Sequence, residues 1–363
     1  MLLSILLYSF IAVTAIHCLY YLVFSKFSFL KHPTLENDTH TPVSVIVYSK
    51  NNAKILPHFL AQFNKQTHTN FELVLVNNAS SDETRYIFED FQKKNDNVHV
   101  VNVENNEAFW GSRKYALTLG VKKATHDILL FTTTSALFDS EDWITVNSSL
   151  LKNNTQIITG YNYFEKKGDF LNLLVRFAEI IAAIQNYGTG IITKPYAASK
   201  SNFGYRKSLF FEKNGYSKHM SLHEGAEDLF LKQNGTSKNI VIATCKENST
   251  QIKSPNSLSE WITSKVSQKS IRKKYSFWNK FNLNIFTISH FLFFILLLSN
   301  LFFSPNILIY SAVGIRYLVV GFVMAKTAIK LRDIKPFYIF PLMEVIYMFI
   351  QIPIFTSSIF SKK

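Results

Sequence analysis

Cysteine is nearly missing from this chain: Cys18 and Cys245 lie far apart, one in an apolar run and one in a polar stretch. No disulfide is expected, which suits a reducing, cytosolic face. Clustered metal-ligand residues are also lacking. His219 and His223 have no cysteine or third histidine nearby, so a zinc site is not indicated. There is no internal repeat. Acidic residues are few against basic ones, 25 to 39, for a net charge of +14. Such an excess suits nucleic acid, anionic lipid or an anionic substrate. Its distribution decides among them. Basic residues crowd beside apolar segments, at 265–280 and 326–335, which points to a membrane surface and away from nucleic acid.

What is abundant is apolar: 47% of residues are hydrophobic and 33 are phenylalanine. Residues 2–24 form a run long enough to cross a bilayer, which takes roughly 20 helical residues. It has neither the charged start nor the small-residue cut site of a cleavable signal, so an uncleaved anchor is expected. Lys26 and Lys31 follow it and place the next segment on the cytoplasmic side. Three more spans are expected near 285–303, 307–325 and 337–355, with Lys326, Lys330, Arg332 and Lys335 between the last two. Arg316 and Glu344 fall inside spans at similar depth. Intramembrane charges are expensive and usually paired, so these two are expected to pair with each other.

Between the anchors, buried-strand and amphipathic-helix patterns alternate. Strands are expected at 42–49, 72–76, 98–103 and 127–131, with helices at 55–66, 82–94 and 111–124. This is the pattern of a doubly wound, mostly parallel sheet. Beyond it come a helix opening at 139–142, a strand at 156–164, an amphipathic helix at 171–185 and a mixed loop at 194–207. A short helix from 227, a strand at 239–244 and a basic helix at 258–275 complete the series. The helix at 171–185 suits either the bilayer surface or a packed core. The expected division is an anchor (1–25), a linker (26–41), an α/β domain (42–280) and a three-span membrane domain (281–363).

The fourth strand runs out into Thr132-Thr133-Thr134-Ser135. In open α/β sheets, ligands sit beyond the carboxyl ends of such strands. Pro42 to Ser49 with Lys50-Asn51-Asn52 is followed by Val76-Asn77-Asn78-Ala79-Ser80-Ser81-Asp82-Glu83-Thr84. Later come Lys194-Pro195-Tyr196, Asn202 to Lys207, Gly215-Tyr216, Gly225 to Phe230, and Trp261 to Tyr275. In this series of motifs the chain resembles family 2 glycosyltransferases. Each motif is weak alone; their order and spacing carry the likeness, which is nearest to membrane-anchored bacterial members.

The resemblance implies a GT-A fold with helices on both faces of its sheet, binding a nucleotide-sugar donor. Ser49, Asn52, Asn78, Arg113, Lys114, Thr133 and Ser135 fall where the donor would lie. Asp228, with Glu227 beside it, falls at the general base, and Asn202, Arg206, His219 and Trp261 fall on the acceptor side. Phe109 and Trp110 could stack on sugar or base, or pack in a core. The acceptor implied is lipid-linked or a polysaccharide, and the location a bacterial inner membrane with the α/β domain in the cytoplasm.

The departures are as informative. Asn52 and Asn78 stand where the family carries acids, and Thr133-Thr134-Ser135 stands at its Asp-x-Asp. Mg²⁺ or Mn²⁺ is the cofactor implied, but its carboxylate ligands are missing, and hydroxyls are poor substitutes. Either cations such as Lys50, Arg113, Lys114 or Arg272 neutralise the diphosphate, or the chain is an inactive scaffold or binding subunit of an envelope-glycan assembly. The acids 227 and 228 also suit simple capping of a helix start.

Overall fold

The computed structural model describes all residues except 32, 34, 36, 105–111, 153, 221, 223 and 361–363; of 270 and 358–360 it describes the backbone only. The chain forms two compact units. One comprises Met1–Lys31, Lys166–Lys194 and Pro255–Lys363; the other comprises His32–Glu165 and Pro195–Ser254.

The chain opens with α1 (Leu2–Phe24) and the single turn α2 (Lys26–Phe29). Then come β1 (Val43–Ser49), α3 (Leu56–Leu60), β2 (Phe71–Asn78), α4 (Thr84–Lys93) and β3 (Val98–Val103). Next are α5 (Arg113–Lys123), β4 (Ile128–Thr133), β5 (Ala136–Phe138), α6 (Trp143–Leu150), β6 (Ile157–Gly160) and β7 (Asn162–Phe164). After α7 (Phe170–Ile192) follow β8 (Phe203–Arg206), α8 (Lys207–Glu212), α9 (Ala226–Asn234), β9 (Ile240–Ala243) and β10 (Thr250–Ile252). The chain closes with α10 (Leu258–Ile271), α11 (Phe277–Phe303), α12 (Ile307–Lys330) and α13 (Phe340–Phe360).

The sheet unit holds a seven-stranded sheet in the order β3-β2-β1-β4-β8-β6-β9. Strands β1 to β4 are parallel to one another, as expected from the alternating pattern. Strand side chains alternate between faces, so continuous apolar runs bury both. Val45, Val47, Leu75 and Leu130 pack with Phe59 of α3, Phe88 of α4 and Trp143 of α6. Ile46, Val74, Val76, Leu129 and Phe131 pack on the opposite face with Ala116, Leu117 and Val121 of α5.

Four local expectations change. The stretch 194–207 is not all loop: it contains β8, antiparallel between β4 and β6. At Gly204 an added Cβ would meet the Leu129 carbonyl oxygen at 2.9 Å, so the strands close up there because no side chain intervenes. The strand expected at 156–164 splits at Tyr161, β6 joining the main sheet and β7 a small one ordered β5-β10-β7. The helix expected at 55–66 is one α-helical stretch flanked by 3₁₀ turns at Ala53–Ile55 and Phe63–Lys65. Its apolar positions Leu56, Phe59, Leu60 and Phe63 are nonetheless all buried. Burial of one face, not regular helical geometry, is what the pattern encoded. Lastly, residues 166–194 and 255–280 group with the apolar helices rather than with the sheet. The Lys265–Glu179 ion pair at 2.7 Å ties α10 to α7 within that unit.

In the other unit, four helices among the described residues are long and apolar enough to cross a membrane: Leu2–Phe29, Phe277–Phe303, Ile307–Lys330 and Lys335–Ser357. Phe10, Phe293, Phe294 and Ile309 form a shared core. The expected pairing of Arg316 with Glu344 is present. Arg316 Nη1 donates to Glu344 Oε2 at 2.9 Å, Nη2 donates to Oε1, and Nε donates to His17 Nδ1 at 3.1 Å. The guanidinium also lies 4.1 Å from the Phe293 ring centroid. A bidentate partner and an aromatic face satisfy a charge that would otherwise be prohibitively desolvated.

Candidate functional site

The parallel register aligns the carboxyl ends of three strands. Tyr48 of β1 is level with Val76 of β2 and Thr133 of β4, and Ser49 is level with Asn77. Ser49, Asn78 and Thr133 therefore share one edge of the sheet. Thr133 Oγ1 lies 3.1 Å from Ser135 Oγ, so the strand tip presents two adjacent hydroxyls.

The loops above this edge are tightly laced. After β2 the backbone turns through Ala79 in the left-handed region, with φ at 48°. Asn77 Oδ1 accepts from the Ser80 amide at 3.2 Å and closes that turn. Asn51, also left-handed, accepts from the Ser81 amide at 2.8 Å. The Asn52 amide donates to Thr84 Oγ1 at 3.1 Å, and its side chain donates to the Lys50 carbonyl at 2.9 Å. Asp82 accepts from the amides of Ala53 at 2.9 Å and Thr84 at 3.1 Å. Burial opposes ionisation of Asp82, but these hydrogen bonds outweigh it and hold its carboxyl below the usual range.

The acid pair reaches the same neighbourhood through α5. Asn78 Nδ2 donates to Tyr48 Oη at 2.8 Å. The Arg113 guanidinium stacks 4.4 Å from the Tyr48 ring centroid. Arg113 in turn donates to Glu227 Oε1 from Nε at 2.9 Å and from Nη2 at 2.6 Å. Glu227 is buried, and among the described residues its Oε2 has no hydrogen-bond partner. Next to Arg113, the buried Lys114 donates from Nζ to the carbonyls of Leu222 at 2.5 Å and Glu224 at 2.6 Å. Burial pulls the Lys114 ammonium down to about 8, against the pull of Glu227 and Glu224. The first turn of α5 thus grips the segment leading to the acids from two directions.

Gly225 begins α9 in the left-handed region, φ 78°, where a side chain would be strained. That turn sets Glu227 and Asp228 in the first turn of α9, at the positive end of its dipole. Asp228 Oδ1 accepts from the Ala198 amide at 2.7 Å. Its surface keeps partial solvent contact, yet protein crowds it on most sides. That burial pushes its carboxyl up to about 7; Glu227 and Glu224 add to the effect, while the Ala198 amide and Lys200 oppose it. A carboxyl titrating there can accept a proton from a hydroxyl held nearby.

Of the residues singled out by sequence, Asn78, Arg113, Lys114 and Glu227 are brought together by this chain of contacts, with Asp228 next to Glu227 in sequence. Arg113 and Lys114, expected toward a donor, are engaged with Glu227 and with the carbonyls of the 222–224 segment. Asn202 is buried and donates to the carbonyls of Tyr161 at 3.3 Å and Asn248 at 2.6 Å. Arg206 is not brought to the strand tips. Because β8 runs antiparallel, its end is level with Ile128, where Arg206 pairs with Asp127 at 3.0 Å on the opposite edge. His219 closes a 3₁₀ turn at Ser217–His219. Trp261 is buried in α10, within the unit of apolar helices. Phe109, Trp110 and His223 lie outside the described residues. Sequence reasoning missed Tyr48, which links Asn78 to Arg113. The available signal was an aromatic one residue before a strand's polar end, on the face opposite Ser49.

Among the described residues, no three of His, Cys, Asp and Glu gather to hold a metal ion. Thr133 and Ser135 offer neutral hydroxyls where a hard divalent cation wants charged oxygen, so this donor set does not fit Mg²⁺ or Mn²⁺.

Residues 44–211 match the family model described as glycosyl transferase family 2. A curated relative, glycosyltransferase GlyG of Streptococcus pneumoniae, is 26% identical over 136 residues, 35% of this chain and 42% of that protein. The 4,4'-diaponeurosporenoate glycosyltransferase of Staphylococcus haemolyticus is 31% identical over 96 residues, 26% of this chain and 24% of that protein. The chain thus spans less than half the length of these relatives. Among solved structures, the mannosyltransferase PcManGT of Pyrobaculum calidifontis, in complex with GDP-Man and Mn²⁺, superposes with a TM-score of 0.64. That likeness, at 15% identity, covers 99% of this chain and all of that one, and it establishes the GT-A-like fold.

Proposed function

We propose, from the match of residues 44–211 to the glycosyl transferase family 2 model, a membrane-bound glycosyltransferase that moves a sugar from a nucleotide-sugar donor to a lipid-linked or polysaccharide acceptor. Asp228 is the general base, and a single displacement inverts the anomeric carbon. The observation that carries this reading is the acid pair itself. Asp228 is a carboxyl raised to about 7, and its neighbour Glu227 is tied through Arg113 and Tyr48 to Asn78 at the carboxyl edge of the sheet. A base near neutrality removes the acceptor proton as the hydroxyl attacks, where a solvated aspartate would be too weak. Glu227 does not share that role: Arg113 holds it, and it orients the start of α9.

The donor lies against Ser49, Asn52, Asn78, Thr133 and Ser135. Amides and hydroxyls there supply hydrogen bonds to base, ribose and phosphate. The basic residues flanking the apolar helices keep the sheet unit on the cytoplasmic side of a bacterial inner membrane. The purified full chain should release nucleotide from at least one nucleotide sugar, and Asp228→Asn should abolish this. The hydroxyl tip favours a second reading, a scaffold subunit without turnover. It would stand if no donor is consumed; turnover indifferent to Asp228→Asn would instead overturn the role given to Asp228.

A further inference from the structure

We propose that the sheet unit holds the diphosphate of its nucleotide ligand without a divalent cation, through the hydroxyls of Thr133 and Ser135 and the ammonium of Lys50. This rests on the reading of the strand ends as a nucleotide-sugar site and adds how that site handles charge.

The argument starts from the sign of charge at the tip of β4. A carboxylate beside a diphosphate is a like-charge pair, tolerable only with a cation between them. Thr133 and Ser135 remove both the repulsion and the ligands for that cation. A hydroxyl donates directly to a phosphate oxygen, and two hydroxyls 3.1 Å apart can serve neighbouring oxygens. Two more hydroxyls, Ser49 Oγ and Thr132 Oγ1, come from the ends of β1 and β4 and are buried with no hydrogen-bond partner among the described residues. Unmet polar capacity is uncommon in a folded interior and here borders the same edge.

The remaining charge needs a cation, and the α5 pair cannot supply it. Arg113 is engaged by Glu227, and Lys114 by the carbonyls of Leu222 and Glu224. Lys50 directly follows β1, next to Ser49 at this edge, and is exposed. Among the described residues its ammonium makes no ion pair. Its backbone is pinned on the C-terminal side: its carbonyl accepts from Asn52 Nδ2, and the Asn51 amide donates to Ser80 Oγ at 3.0 Å. A fixed stem carrying a mobile cation suits a diphosphate that must arrive and leave.

The test is binding of GDP and UDP to the detergent-solubilised full chain, by calorimetry, in EDTA and in Mn²⁺. For the nucleotide that binds, the two Kd values should agree within about twofold, and Lys50→Gln should weaken binding about tenfold in EDTA. The paired variant Thr133→Asp, Ser135→Asp should lose binding in EDTA and recover it in Mn²⁺; its unfolding temperature reports whether it is folded. Wild-type binding that is about tenfold or more tighter in Mn²⁺ would overturn the metal-free site while leaving the transferase reading intact. Unchanged affinity in Lys50→Gln would overturn the role given to Lys50. Absence of nucleotide binding under both conditions would overturn this inference and the proposed function together.

Discussion

Arg113 donates two hydrogen bonds to a single oxygen of Glu227, so the start of α5 and the start of α9 are joined by one buried ion pair. Removing one partner strands the other charge in the interior, at a cost of roughly 3–5 kcal/mol. Arg113→Met should therefore lower unfolding free energy by about that much. Adding Glu227→Gln to Arg113→Met should restore much of it. Denaturant unfolding in detergent would measure both; equal stability of wild type and Arg113→Met would mean the pair is dispensable.

Lys114 is a separate case, because its partners are carbonyls and not an acid. Lys114→Met keeps the bulk and removes the donor, leaving the Leu222 and Glu224 carbonyls to find other partners. Charge-assisted bonds of this kind contribute roughly 1.5–3 kcal/mol each. The expected result is faster amide exchange across 224–230 with little change in β1, β2 and β4. Uniform acceleration across the sheet would indicate a global role instead.

The pH dependence has a definite sign. The carboxyl of Asp228 is raised to about 7, above its value in an unfolded chain. Its contribution to stability is thus complete in acid and is lost as pH climbs through about 7. Basicity runs the other way, since the carboxylate form accumulates above about 7. Below that point turnover should increase about tenfold per pH unit and then level off. Asp228→Asn should eliminate this limb and flatten the stability slope. A turnover limb centred near pH 4 would contradict the assignment.

In the unit of apolar helices, Arg316 meets Glu344 and His17 with all three side chains buried. Arg316→Glu alone should place two acids together and reduce the yield of folded protein severalfold. The exchanged pair Arg316→Glu, Glu344→Arg should recover much of it, less whatever the His17 contact contributes. Size-exclusion yield of the detergent-extracted protein would report this. A double exchange no better than the single one would show that the pair contributes little.

Much of the molecule was already written in residue pattern. Runs of apolar residues such as Val45 to Val47 and Leu73 to Val76 specify buried strands, because each face of the sheet needs its own alternate set. The four long apolar helices, the Arg316–Glu344 partnership and the family likeness were legible for similar local reasons: length, hydropathy and spacing are properties of the chain itself. What the fold alone decided are relationships across sequence distance. That Arg113 meets Glu227, that Tyr48 bridges to Asn78, and that Arg206 ends on the far edge all depend on strand direction and helix placement. A side chain's type states which bonds it can form. Which partner it finds depends on a packing free energy shared by the whole unit, and no local stretch carries that.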